Sequence, residues 1–128
     1  MPVRKATVRS AQIKPVPVIL LSTNGQSYTV TPADHGKTIV AGGTDQTIVL
    51  PAAGVVKDGF WVRIQVSTAS AVTGLTIDAP TGVTIDFTGK TAGDNLVNSA
   101  ATDAKGDGVT LVHRSNTYYP HCLRGTWA

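Results

Sequence analysis

Short stretches in which apolar and polar residues alternate recur from Ser27 onward, separated by clusters of glycine, proline, asparagine and aspartate. Residues 60–66 are the clearest case. Phe60, Val62, Ile64 and Val66 fall on one side of an extended chain, and Trp61, Arg63 and Gln65 on the other. Side chains alternate across a pleat, so this pattern is that of a half-buried strand. Residues 75–78 and 83–87 repeat it, with Leu75, Ile77, Val83, Ile85 and Phe87 expected inside and Thr76, Asp78, Thr84 and Asp86 outside. Further strands are expected at residues 27–30, 37–41, 46–50, 109–113, 117–119 and 121–127. Turn signals fall between them at the spacing of about 8–12 residues typical of sandwiches and barrels. Thr31-Pro-Ala-Asp-His-Gly is one such turn, and Gly42-Gly43-Thr-Asp reads as the tip of a hairpin. Helical signal is thin: glutamate is absent, and no segment sustains a 3.6-residue apolar period. Residues 90–108 read as a long polar loop with at most one helical turn. The expected fold is all-β, a compact sandwich or barrel of about eight short antiparallel strands. The echo between Leu75-Thr-Ile-Asp and Val83-Thr-Ile-Asp lies within one expected hairpin and does not make a solenoid repeat.

Charge divides the chain unequally. Residues 1–26 contain Arg4, Lys5, Arg9 and Lys14 and no acid, and these four cations account for the whole formal excess of +3. Pro15 and Pro17 alternate with valines, which favours an extended backbone. Residues 1–26 are therefore read as an extended basic N-terminal arm, and residues 27–128 as a single β domain. The arm is either a docking segment for an acidic neighbouring surface or a solvated terminus. Nucleic acid is not the expected partner, because basic residues with interleaved aromatics do not run along the folded part. Only 15% of residues are charged, and Thr, Ser, Gly and Ala take the place of the missing charges. Such neutral faces suit subunit packing, and equally suit a threonine-rich soluble β domain. No apolar run reaches the ~18 residues needed to span a bilayer. The run at residues 16–21 is interrupted by Pro17 and lacks a cleavage site, so it is read as mature sequence.

Candidate chemistry is sparse, and no cofactor or metal is expected. His121 and Cys122 are adjacent, which on a strand sends them to opposite faces rather than to one metal. Cys122, the one cysteine, is expected to be buried in a terminal strand. No Gly-x-Ser-x-Gly elbow is present. Asp78 and Asp86 are expected on the exposed side of neighbouring strands, where solvation is their default role. Asp103-Ala-Lys-Gly-Asp-Gly lacks the alternating ligands and closing Glu of a calcium loop. These failures of spacing argue against an enzyme.

Several segments taken in order do carry a likeness: Thr31-Pro-Ala-Asp-His-Gly-Lys-Thr, Thr47-Ile-Val-Leu-Pro-Ala-Ala-Gly, Phe60-Trp-Val-Arg-Ile-Gln-Val, Gly93-Asp-Asn and Gly108-Val-Thr-Leu-Val. Their succession resembles small β-rich virion proteins of tailed bacteriophages, chiefly capsid decoration (cement) proteins, over residues 29 to 127. The segment His113-Arg-Ser-Asn-Thr-Tyr-Tyr departs from the "x-D-G-x-x-W" of fibre relatives. The resemblance implies a structural protein, made in the host bacterial cytoplasm, that sits on the outer capsid surface of the virion. It would act as a homotrimer bound to the major capsid protein, with no membrane or nucleic acid partner. It also implies that the arm, through Arg4, Lys5, Arg9, Lys14, Pro15 and Pro17, contacts the shell. Trp61, Tyr118, Tyr119 and Trp127 are candidates for subunit interfaces or, equally, for the domain's own core. A head-fibre or tail-fibre receptor-binding module is the alternative, although no heptads or β-helical shaft repeat are present. A carbohydrate-binding module would want a row of exposed aromatics, and aromatics are 5% of the chain.

Overall fold

A computed structural model describes residues 17–67, 74–98 and 105–128. Ten strands and one short 3-10 turn account for its regular structure. The strands are β1 (Val18–Leu21), β2 (Ser27–Thr29), β3 (Thr38–Ala41), β4 (Thr47–Val49), β5 (Trp61–Val66), β6 (Leu75–Asp78), β7 (Thr84–Ile85), β8 (Leu96–Asn98), β9 (Gly108–Arg114) and β10 (Thr117–Arg124). They form two mixed sheets: a six-stranded sheet in the order β1-β3-β5-β9-β10-β7 and a four-stranded sheet in the order β2-β4-β6-β8. The all-β expectation holds. The antiparallel one does not.

From β1 to β9 successive strands alternate between the two sheets, so the chain crosses over at nearly every turn. β1 therefore pairs β3 in parallel, and β3 pairs β5 in parallel. In the other sheet β2 pairs β4 and β4 pairs β6, again in parallel. Parallel neighbours need a crossover, and here the crossover is a strand of the opposite sheet rather than a helix. Two expected hairpins are thereby corrected. Residues 37–41 and 46–50 supply β3 and β4, in different sheets, and residues 75–78 and 83–87 supply β6 and β7, also in different sheets. The first six strands are stacked rungs, each rung one strand from each sheet. Register runs from Val18 to Thr38 and from Ser27 to Thr47, an offset of 20 residues in both sheets. Antiparallel pairing enters with β8 against β6 and with β9 against β5 and β10. β9 and β10 form a tight hairpin whose turn residues Ser115 and Asn116 have φ of 51° and 58°, as a two-residue primed turn requires.

β1 also corrects the extended arm. Residues 18–21 are an ordered edge strand, Leu21 is buried in the core, and the Thr38 N–H donates to the Pro17 carbonyl at 3.0 Å. The remainder of that segment, with Arg4, Lys5, Arg9, Lys14 and Pro15, lies outside the described residues. β8 is a second strand where a loop was expected.

The inward positions of both sheets meet in one apolar cluster. Ile39, Val62, Ile64, Val109, Leu111 and Tyr118 come from the larger sheet, and Ile48, Ile77 and Leu96 from the smaller. Each such side chain, fully buried, contributes on the order of 1.5–3 kcal/mol. Two close approaches depend on glycine. A Cβ on Gly108 would meet the Ile64 carbonyl oxygen at 2.7 Å, and one on Gly125, where φ is +91°, would overlap the Asp107 carboxylate.

The Thr31–Lys37 motif is a locked connection between β2 and β3. Its 3-10 turn (Pro32–Asp34) carries a capping box between Thr31 and Asp34. The buried Asp34 carboxylate accepts from the Tyr28 hydroxyl (2.7 Å), the Thr31 N–H (2.9 Å) and the Lys37 ammonium (3.2 Å). Burial pushes the Asp34 carboxyl up, but the bonds from Thr31, Tyr28 and Lys37 together outweigh it and hold the group below the ordinary carboxylate range. Burial, then the neighbouring carboxylate, pushes the Tyr28 hydroxyl up to about 12.

Candidate functional site

The outer face of the six-stranded sheet is where exposed apolar side chains gather. Register places Val18, Thr38, Arg63, Thr110 and His121 in one row across it, and Leu20, Val40 and Gln65 in a second. Trp61, Val112 and Tyr119 form a third row. Val18 and Leu20 are each 60% exposed, Trp61 37% and Tyr119 39%. A polar outer face is the usual state of a sheet that packs on one side only, so large apolar residues on three rows mark a surface suited to burial. Its charge is mainly positive. Arg63 and Arg114 lie at outward positions, Arg124 is exposed at the end of β10, and none of the outward positions of β1, β3, β5, β9 and β10 is acidic, while the exposed Asp86 follows β7 at the sheet edge beside Tyr119.

The four aromatic candidates separate on this geometry. Trp61 and Tyr119 are on the outer face, with Val112 between them. Tyr118 and Trp127 are buried and fill the chain's own core. Tyr118 is fully enclosed, stacks edge-on against His113 with centroids 5.1 Å apart, and its hydroxyl finds no hydrogen-bond partner among the described residues. Burial alone pushes that hydroxyl well above its ordinary value. The Trp127 indole N–H donates to the Arg124 carbonyl at 2.8 Å. The exposed Val18 and Leu20 are not among the residues expected from the sequence, because the prolines and cations around them mark an arm; their alternation with Ile19 and Leu21 is the signal that the sequence does carry.

The chemically capable residues are dispersed and engaged in holding loops. His35 accepts the Trp61 N–H on Nδ1 at 3.2 Å, and its ring lies edge-on to the Trp61 indole. His113 is buried; its Nδ1 donates to the Lys57 carbonyl (3.1 Å), and its Nε2 accepts the Asn116 N–H (3.2 Å). That arrangement fits the neutral ring with its proton on Nδ1. Cys122 is exposed, not buried, because a register shift between His121 and Arg124 breaks the strand there. His121 beside it is exposed too. Asp78 and Asp86 belong to different sheets, not to neighbouring strands. Asp107 is buried and accepts from the Asn98 amide at 3.1 Å. Among the described residues no three His, Cys, Asp or Glu side chains cluster as metal ligands would, and no helix is long and apolar enough to cross a membrane. Two open depressions flank the Asp58–Gly59 turn. One, of about 420 Å³, is lined by His35, Val56 and Phe60, and the other, of about 550 Å³, by His113, Ser115 and Tyr119.

Comparison with known proteins brings no relative: no family model matches the chain, and no curated protein matches its sequence.

Proposed function

We propose that this chain is a non-catalytic structural subunit that docks through the outer face of its six-stranded sheet onto a shell built from many copies of another protein. The two sheets act as a β-sandwich whose inner faces make the core and whose larger outer face makes the contact. The observation that carries the reading is the coincidence, on that face, of Val18, Leu20, Trp61 and Tyr119 with Arg63 and Arg114 and, among the described residues of its rows, one acid, Asp86 at the β7 edge. Such a surface is complementary to an acidic one bearing apolar side chains. The motif order given above makes the shell the capsid of a tailed phage and the role that of a decoration, or cement, protein in the virion. Arg4, Lys5, Arg9 and Lys14 add cationic contacts to the major capsid protein, and repetition over a symmetric shell, as a homotrimer, multiplies modest individual affinities.

Co-sedimentation of the purified chain with expanded, empty capsids tests the reading. Saturable binding is expected, weakened at least tenfold by the pair Arg63→Glu and Arg114→Glu, since each reversal turns attraction into repulsion worth about 1 kcal/mol or more at a partly desolvated contact. Binding to host cells or glycans with none to capsids would favour the fibre-module alternative and overturn this one.

A further inference from the structure

At one end of the sandwich the β4–β5 connection and the β9–β10 hairpin are tied to each other. The Asp58 carboxylate accepts the Ser115 N–H at 2.9 Å, and the Asn116 side-chain carbonyl accepts the Gly54 N–H at 3.0 Å. Between them the buried His113 ring holds the Lys57 carbonyl at 3.1 Å and the Asn116 N–H at 3.2 Å. The β5–β9 ladder runs on into the same region, since the Gly59 N–H donates to the His113 carbonyl (2.9 Å) and the His113 N–H to the Phe60 carbonyl (2.8 Å). Both loops are thus held in one arrangement, and a site fixed in advance loses less ordering entropy on binding.

The depression of about 550 Å³ opens on the outer-face side of this tie, where Val112, Tyr119 and His121 line it with Asp58, Arg114 and Ser115. Its floor includes Gly59, which has φ of +92° and no side chain; a Cβ there would meet nothing within 4 Å. The volume is that of a small-ligand site, on the order of 300–1,000 Å³. Asp58 has a side chain 65% exposed and gives one oxygen to Ser115, so the other is an available acceptor. The Arg114 guanidinium, the Tyr119 hydroxyl and the His121 ring have no partner among the described residues and are available as donors. Tyr119, 39% exposed, adds an aromatic ring.

Charge selects among ligands. A carboxylate drawn to Arg114 would meet Asp58, with Asp86 beside Tyr119 at the β7 edge, and an ammonium drawn to Asp58 would meet Arg114. A wholly apolar ligand would strip water from these groups and give nothing back. A neutral polyol satisfies both signs, because each hydroxyl donates and accepts, so neighbouring hydroxyls bond carboxylate and guanidinium together. The C–H face of a pyranose ring also suits the ring of Tyr119.

We infer that this depression binds one neutral sugar residue, with Tyr119 as its platform, Asp58 as acceptor and Arg114 as donor. A single ring is enough for one residue, in contrast to the row wanted by a module that reads long glycans. Tyr119 and Val112 also belong to the docking face, so sugar and shell compete for them. The inference rests on the lining alone, and its failure would leave the capsid reading standing.

NMR titration of the isotope-labelled full chain with the methyl glycosides of glucose, galactose, mannose and N-acetylglucosamine tests it. At least one should shift the Gly59, Ser115 and Tyr119 amides saturably at millimolar concentration, while Gly43 and Thr44 at the opposite end stay still. The uronic acid and the amino sugar corresponding to that glycoside should bind at least about threefold more weakly. Tyr119→Ala and Arg114→Gln should each weaken binding at least about fivefold, and Tyr119→Phe, which keeps the ring, should preserve most of it. Should a variant not fold, the comparison of neutral and charged sugars on the wild-type chain decides alone. Absence of a saturable shift with every glycoside overturns the inference. So does tighter binding of the uronic acid, which would make this an anion site, or full binding by a folded Arg114→Gln chain.

Discussion

Replacing Asp34 by alanine removes the acceptor on which the β2–β3 connection is built, and the loss can be sized from its partners. The Thr31 N–H loses a capping acceptor, a change typically worth about 0.5–2 kcal/mol. The Tyr28 hydroxyl loses a charge-assisted bond of roughly 1.5–3 kcal/mol, part of which water recovers because Tyr28 is only partly buried. The ion pair with Lys37, whose side chain is 31% exposed, adds no more than about 1 kcal/mol after solvent screening. These share one carboxylate and do not add fully, so the expected cost is about 2–4 kcal/mol at neutral pH. In a domain of this size that lowers Tm by roughly 6–16 °C. Urea unfolding followed by tryptophan fluorescence measures it. Asp34→Asn, which keeps an acceptor but not the charge, separates the electrostatic part. Because the folded-state pKa is depressed, the stability due to the charge is present above the unfolded value of about 3.9 and is lost as pH falls through the folded value. The gap between wild type and Asp34→Asn should be constant from about pH 6 to 8 and should close below about pH 4. A gap under about 0.5 kcal/mol at pH 7, or one that widens in acid, refutes the role given to Asp34.

Other expectations follow from the same structure. Tyr28 has its folded pKa raised to about 12, so stability should decline as pH rises from about 10 towards 12, and Tyr28→Phe should remove that portion of the decline. Gly108→Ala should cost at least about 2 kcal/mol in urea unfolding, since the new methyl faces backbone that cannot move aside. Tyr118→Phe should leave Tm unchanged or raise it, because the hydroxyl it deletes is buried without a partner, whereas Tyr118→Ala should cost about 3–5 kcal/mol as a cavity in the core. Trp61→Ala should cost about 1–3 kcal/mol, less than Tyr118→Ala because the indole is partly exposed, and should weaken capsid binding at temperatures where the variant is fully folded.

Residues 60–66 show what a sequence can disclose about such a fold. Their alternation identified the strand and both of its faces, because burial on one side is a local property of the pattern. Strand direction is not local. A stretch such as Gly42-Gly43-Thr-Asp has the residues of a hairpin tip, yet here it carries the chain to the opposite sheet, and Gln46 ties it to carbonyls of the preceding rung. Alternation reads the same for parallel and antiparallel neighbours, so the rungs were invisible until pairing was known. The aromatic candidates divide on the same ground. Tyr118 and Tyr119 are consecutive and must face opposite ways, but only the register of β10 on β9 decides which is inside. Trp127 is inside because the chain end returns to bridge β8, a contact with no sequence signal. At Val18–Leu21 two local signals compete, the prolines and cations of an arm and the period-2 pattern of a strand, and it is the second that β1 follows.

Oxidative footprinting of the chain free and on shells addresses the docking face most directly. Trp61 and Tyr119 are exposed and should react readily in the free protein, and both should be protected severalfold on expanded capsids, while the exposed Cys122 thiol, in the bulge between His121 and Arg124, reports the surface around them. Binding to capsids that leaves Trp61 and Tyr119 as reactive as in solution would contradict the assignment of this face.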